Sequence, residues 1–205
     1  NNPAVIELAF AALVADGRVD DAKGLARRML ELVPGHNLAT LVLGTIALKE
    51  RRYKSAINKL QTMGLGNFVD IAGYVVRAWA YVGQSNLDKA FAVLDEMKAS
   101  GLEKFLIYHR ALMADVAGDP RALDFAKRAY QADQYVPSIV QTYARILGNS
   151  GQSKAALAVL SAYQGQGLSN PLVLQVGADI KAGRLPGKFA NNASQGAAEM
   201  FRGIG

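Results

Sequence analysis

A glycine, or a residue standing in for one, recurs at Gly17, Arg51, Gly83, Gly118, Gly151 and Gly183, in steps of 34, 32, 35, 33 and 32. A second ladder of alanines, Ala22, Ala56, Ala90, Ala122 and Ala156, advances by 34, 34, 32 and 34. Two separate markers keeping one period near 34 mean that a single piece of supersecondary structure has been copied about six times. Each copy in such an array packs on its neighbours, so the chain gains surface with length instead of enlarging one closed core. That constraint favours a binding surface over a catalytic pocket.

The stretch from Asn37 to Val69 shows the unit. Leu38, Leu41, Val42, Thr45, Ile46 and Leu48 form one apolar helical face, and Tyr53, Ala56, Ile57, Leu60 and Met63 form a second. Glu50-Arg51-Arg52 separates the two helices, and Gly64 and Gly66 end the second. The same helical hairpin recurs over approximate repeats 3–36, 37–68, 69–102, 103–135 and 136–169, with a partial one at 170–183. A loop over 184–191 and the start of a further helix over 192–205 follow. In the third repeat Gly83-Gln84-Ser85-Asn86 makes a turn two residues longer than the others. Asp119 and Pro120 read as the N-cap and first residue of a helix. Each glycine permits a tight reversal. Each alanine lets paired helices approach closely, with Leu60, Leu94 and Leu160 filling the space between hairpins. Gly44 belongs to the same close approach, which offsets its helix-propensity cost of about 1 kcal/mol.

Composition narrows the function. The hydrophobic content of 51% with 20% charged residues is that of a folded chain. The formal charge of +6 reads mainly as solubility, because Lys and Arg are mixed with acids. The exception is the C-terminal stretch, where Lys181, Arg184, Lys188 and Arg202 face only Glu199. There is no cysteine, which removes disulfides, thiolate metal sites and cysteine nucleophiles together. No apolar run is long enough to span a bilayer. The chain opens on Asn1-Asn2-Pro3 and stops within an apparent helix, so both ends read as cut from a longer protein.

Leu43-Gly44, the turn glycines Gly17, Gly83, Gly118 and Gly151, the alanine ladder, and Pro34, Pro137 and Pro171 together resemble the tetratricopeptide repeat. Arg51 departs from its turn glycine, and only the second repeat keeps the leucine-glycine pair. The resemblance implies an all-α fold, a right-handed α-α superhelix (solenoid) of five to six hairpins. It also implies a concave groove that binds a peptide or partner protein, with no enzymatic activity and no cofactor. The segments 41–49, 108–112 and 195–199 are similar to long bacterial, alphaproteobacterial repeat proteins that carry an export signal, which implies a periplasmic parent.

Chemistry is sparse. His36 lies in an inter-repeat turn and His109 inside a helix, neither at metal-ligand spacing. Gly64-Leu65-Gly66 and Gly165-Gln166-Gly167 lack the lysine and strand of a phosphate loop and read as helix caps. Trp79 reads as core, whereas Tyr81 and Tyr108 fall between apolar positions and read as exposed. Projection onto the expected superhelix turns Lys49, Arg77, Tyr81, Tyr108, Asp115, Gln141, Arg145 and Lys181 toward the groove, with Arg77 and Arg145 equivalent two repeats apart. A mildly basic groove with tyrosine walls suits a peptide carrying acidic groups. Two alternatives stand beside this interaction scaffold. One is an anionic ligand or nucleic acid bound at the basic C-terminal part. The other is a homo-oligomer formed through array ends around Val5, Ile6, Leu8 and Phe10, and around Ala197, Met200 and Phe201.

Overall fold

A computed structural model describes residues 2–97 and 101–202 of the chain, so positions 98–100 and 203–205 of the ranges above lie outside the described residues. Among the described residues there are twelve α-helices and no strand. They are α1 (Pro3–Ala15), α2 (Lys23–Leu32), α3 (Asn37–Lys49), α4 (Tyr53–Leu60), α5 (Phe68–Gly83) and α6 (Leu87–Asp95). They continue with α7 (Glu103–Ala117), α8 (Ala122–Ala132), α9 (Pro137–Asn149), α10 (Ser153–Gly165), α11 (Pro171–Lys181) and α12 (Ala193–Arg202). No helix among them is long and apolar enough to cross a membrane. The chain forms two compact units, Asn1–Met97 with Ala197–Gly205, and Lys98–Gly196. In the first, the hairpins are α1–α2, α3–α4 and α5–α6; in the second, α7–α8 and α9–α10, with α11 packed on both helices of the latter.

One hydrogen-bonded turn recurs six times and closes each of the five hairpins. The amide of Arg18 donates to the Leu13 carbonyl at 2.9 Å, and the same five-residue step joins Arg52 to Ala47, Asn86 to Tyr81, Asp119 to Ala114, Gln152 to Leu147 and Arg184 to Asp179. This pairing satisfies helix carbonyls left without a partner in the last turn, and it needs a left-handed residue just before the donor. Those residues are Gly17, Arg51, Ser85, Gly118, Gly151 and Gly183, with φ between 57° and 77°.

The third turn therefore belongs to Ser85 and not to Gly83. With that correction the turns step by 34, 34, 33, 33 and 32, more evenly than the glycines themselves. Gly83 is the last residue of α5, and a Cβ there would run into the ring of Tyr53. Its smallness serves a helix contact, not a reversal.

Packing follows the small-residue logic. Ala22, Ala56, Ala90, Ala122 and Ala156 are all buried. A Cβ on Gly44 would lie 2.5–2.9 Å from the end of Leu60, so the absent side chain is what lets α3 meet α4. In α1 the sizes are exchanged: Phe10 occupies the place of Gly44, seven residues before the turn, and Ala26 the place of Leu60, within one cluster with Met29, Val42 and Ile46. The second unit has its own cluster of Val140, Ala144, Leu147, Ala156, Leu160, Tyr163, Val173, Val176 and Ile180.

Several helix starts are fixed by side chains. Asn67 accepts from the amides of Val69 and Asp70, while the Asp70 carboxylate accepts from the Asn67 amide at 3.1 Å. His36 caps α3, its Nδ1 accepting from Ala39 at 3.2 Å. α8 is regular from Ala122, and Asp119 stands ahead of it, its Oδ1 accepting from the amide and guanidinium of Arg121. These Arg121 bonds hold its carboxyl down at about 2.

Candidate functional site

The sequence places eight residues on a groove, and they divide between the units: Lys49, Arg77 and Tyr81 in the first, Tyr108, Asp115, Gln141, Arg145 and Lys181 in the second. In the first unit they are spent on contacts inside it. Lys49 is exposed, with its Nζ 2.7 Å from Asp20 Oδ2 in the preceding turn. Arg77 is only 7% exposed. Its Nη2 donates to Glu96 Oε2 at 2.9 Å, and its Cζ lies 4.4 Å from the centre of the Tyr74 ring. Tyr81 is half-buried, with Lys89 Nζ 6.0 Å from its ring centre.

Arg77 and Arg145 are not equivalent. Arg77 stands eight residues before its left-handed turn residue, Ser85, and Arg145 six before Gly151. The residue matching Arg145 is Trp79, which is fully buried, as its apolar neighbours imply. The two-residue displacement of the third turn is the reason.

Tyr108, expected to be exposed, is buried on α7 beside His109, their ring centres 5.8 Å apart. His109 is completely buried as well. Its ring meets Phe105 edge-on at 4.4 Å, and loss of hydration pushes its pKa down to about 3, which keeps the imidazole neutral. Gln141 is buried on α9 and Lys181 is exposed at the end of α11.

Asp115 and Arg145 are brought together by a part of the chain that local reading leaves as a plain loop. After α11 and its turn, residues 185–190 run as non-helical backbone alongside α9 and α7. Arg145 Nη1 donates to the Pro186 carbonyl, and Asn149 Nδ2 donates to the Gly187 carbonyl at 3.0 Å. Lys188 Nζ donates to the Asp115 carbonyl at the end of α7. Pro186 is buried against Gly148, where an added Cβ would lie 3.1 Å from its Cγ. Ala190 is buried, while Leu185 is 74% exposed.

The electrostatics agree with this placement. Burial raises the Asp115 carboxyl pKa, with the Lys188 charge opposing, and burial lowers that of Arg145, with Asp179 opposing. Side-chain donors on a helix take successive backbone carbonyls, and a glycine on the same helix accommodates a proline ring.

Gly148, Asn149, Pro186, Gly187 and Lys188 were not among the predicted site residues. One signal for Asn149 exists: it stands two residues before Gly151, as Lys49 stands before Arg51 and Lys181 before Gly183.

The basic C-terminal stretch is largely engaged. Arg184 Nη2 lies 2.7 Å from Asp179 Oδ1, Lys188 is held by the Asp115 carbonyl, and Arg202 Nη1 lies 3.8 Å from Glu199 Oε2. The expected apolar ends also differ. Val5 and Leu8 are exposed, but Phe10 is fully buried. On α12, Ala193, Ala197 and Met200 form a buried stripe, and Phe201 is half-exposed. Spacing of four and three residues puts that stripe on one helix face. Among the described residues no three His, Cys, Asp or Glu side chains gather as a metal site.

No protein-family model and no curated protein matches the sequence. Among solved structures the chain is similar to a thermophilic tetratricopeptide repeat protein of Thermus thermophilus, with a TM-score of 0.64 and 21% identity. The match covers 88% of this chain and 100% of that one. Six left-handed turns at a period near 34, alanine-seated hairpins and this structural likeness lead to one conclusion: the chain has the fold of a tetratricopeptide repeat protein, a helical repeat solenoid.

Proposed function

We propose that this chain is a protein-interaction scaffold which holds an extended segment of a partner against the first helices of its second unit. The observation that supports this reading is the way Arg145 and Asn149, one turn apart on α9, donate to the carbonyls of Pro186 and Gly187. Donors aimed at main-chain carbonyls give affinity to any extended chain, and the neighbouring pockets choose among side chains. The face is polar, with Asp115, Arg145 and Asn149 around it, and it performs binding, not catalysis. Arginine at such a position is among the residue types that most often carry interface energy.

The test is recovery of bound proteins by the chain, comparing wild type with Arg145→Glu/Asn149→Ala. The variant loses the partners that the wild type retains, while a Lys49→Ala control keeps them. Equal recovery by wild type and double variant would remove the reading. Arg77→Glu, which local reading would treat as a groove change, instead removes the Glu96 pair and lowers thermal stability.

A further inference from the structure

Residues 185–190 are held by contacts of the kind a partner would make, at the place proposed for a partner. We infer that this segment is an internal competitor: it occupies the α7–α9 face, and a partner strand of like chemistry binds by replacing it. The inference rests on the reading above and specifies the partner. It is an extended segment with a proline followed by glycine and then a cation, not the acidic peptide that the arginines alone bring to mind.

Three features set that chemistry. Gly148 leaves room for a pyrrolidine ring, which it meets at about the closest approach a Cβ would tolerate. The donors of Arg145 and Asn149 take the carbonyls of the proline and of the residue after it. The Asp115 carbonyl, at the negative end of the α7 dipole, takes the cation two residues beyond the proline. An acidic side chain at that last place would face a carbonyl and the Asp115 carboxyl.

Replacement is structurally available because the segment carries no part of the hairpin framework. Its turn at Gly183 is closed by bonds within 179–184, and α12 begins at Ala193 with its own bonds. Of the segment's side chains Pro186 and Ala190 are buried, and Leu185 faces outward. Because the segment is tethered, it competes at an effective concentration in the millimolar range. An outside strand of equal intrinsic affinity therefore binds the intact chain weakly.

The experiment uses a fluorescent peptide of residues 183–191 titrated into three full chains. They are wild type, Pro186→Ser/Lys188→Ala, and that double variant with Arg145→Ala added; helix content by circular dichroism confirms folding of each. The expected result is binding at least tenfold tighter to the segment variant than to wild type, and loss of binding once Arg145 is removed. Equal affinity for wild type and segment variant, with binding lost once Arg145→Ala is added to the latter, overturns the competition but leaves the strand-binding face standing. No binding to the folded segment variant overturns both.

Discussion

Six residues before the left-handed turn, the first unit places Trp79 and the second places Arg145. The rung is the same and the use is opposite. Trp79 is fully buried and belongs to the core. Arg145 is half-buried and gives its guanidinium to a backbone carbonyl of a non-helical segment. The turns differ as well. Two of the three in the first unit put an L-residue, Arg51 or Ser85, in the left-handed region, while all three in the second use glycine. A repeat thus fixes where a side chain stands on its helix, but the surroundings decide whether that place is core or contact.

The strongest way to break this comparison is to truncate both residues. Trp79→Ala should cost about 3–5 kcal/mol, as loss of a large, fully buried aromatic does. Arg145→Ala should cost about 1.5–3 kcal/mol, the worth of a hydrogen bond from a charged group. Denaturant titration of the two variants measures both, and similar losses would mean that Arg145 is as much a structural part as Trp79.

Acid gives the next largest effect, and it singles out the second unit. His109 is held to a pKa of about 3 in the folded chain against 6.5 when exposed, so the unfolded chain binds the extra proton between those values. Its contribution is complete above pH 6.5 and declines as pH falls toward 3, at about 1.4 kcal/mol per pH unit. The carboxyls of Asp119, Glu50 and Asp179, lowered chiefly by hydrogen bonds to Arg121, to Lys23 and to Arg184 respectively, withdraw their support only further down, below the ordinary carboxylate range. His109→Phe should therefore flatten the stability profile between pH 6.5 and 4 and leave the steeper fall below it. An unchanged slope in that window would show that the ring is reached by water.

The smallest effect concerns the turns and is a gain. Arg51→Gly and Ser85→Gly remove the steric cost of a left-handed L-residue, about 1–2 kcal/mol, and increase the entropy lost on folding by about half of that. Each should raise stability by about 0.5–1 kcal/mol in thermal unfolding. Gly118→Ala or Gly151→Ala should lower it by a similar amount.

Much of this fold can be read directly from residue spacing. The 34-residue period, the hairpins, the buried alanine ladder and the close approach at Gly44 all follow from contacts within about one repeat, where spacing and side-chain size suffice. Gly83 misleads because two different needs for a small residue, a left-handed reversal and an unobstructed helix side, look alike in a sequence. Only the hydrogen bond from the Asn86 amide to the Tyr81 carbonyl separates them. That two-residue displacement made Arg77 look equivalent to Arg145.

The candidate site was less legible. Arg145 and Asp115 could be named from helix position, but Tyr108 and Gln141 are buried, and Asn149 was passed over. Exposure depends on what another part of the chain lays over a helix, and that part can be far away in sequence: Lys188 reaches Asp115 across 73 residues and Pro186 reaches Arg145 across 41. The amino-acid order by itself determined the repeat, its hairpins and their seating, because helix periodicity and turn hydrogen bonds act over a few residues. Only the tertiary structure decided which face is covered, which arginine is already paired, and that a short extended segment lies where a partner was expected. Those outcomes come from contacts between distant stretches, for which local sequence holds no record.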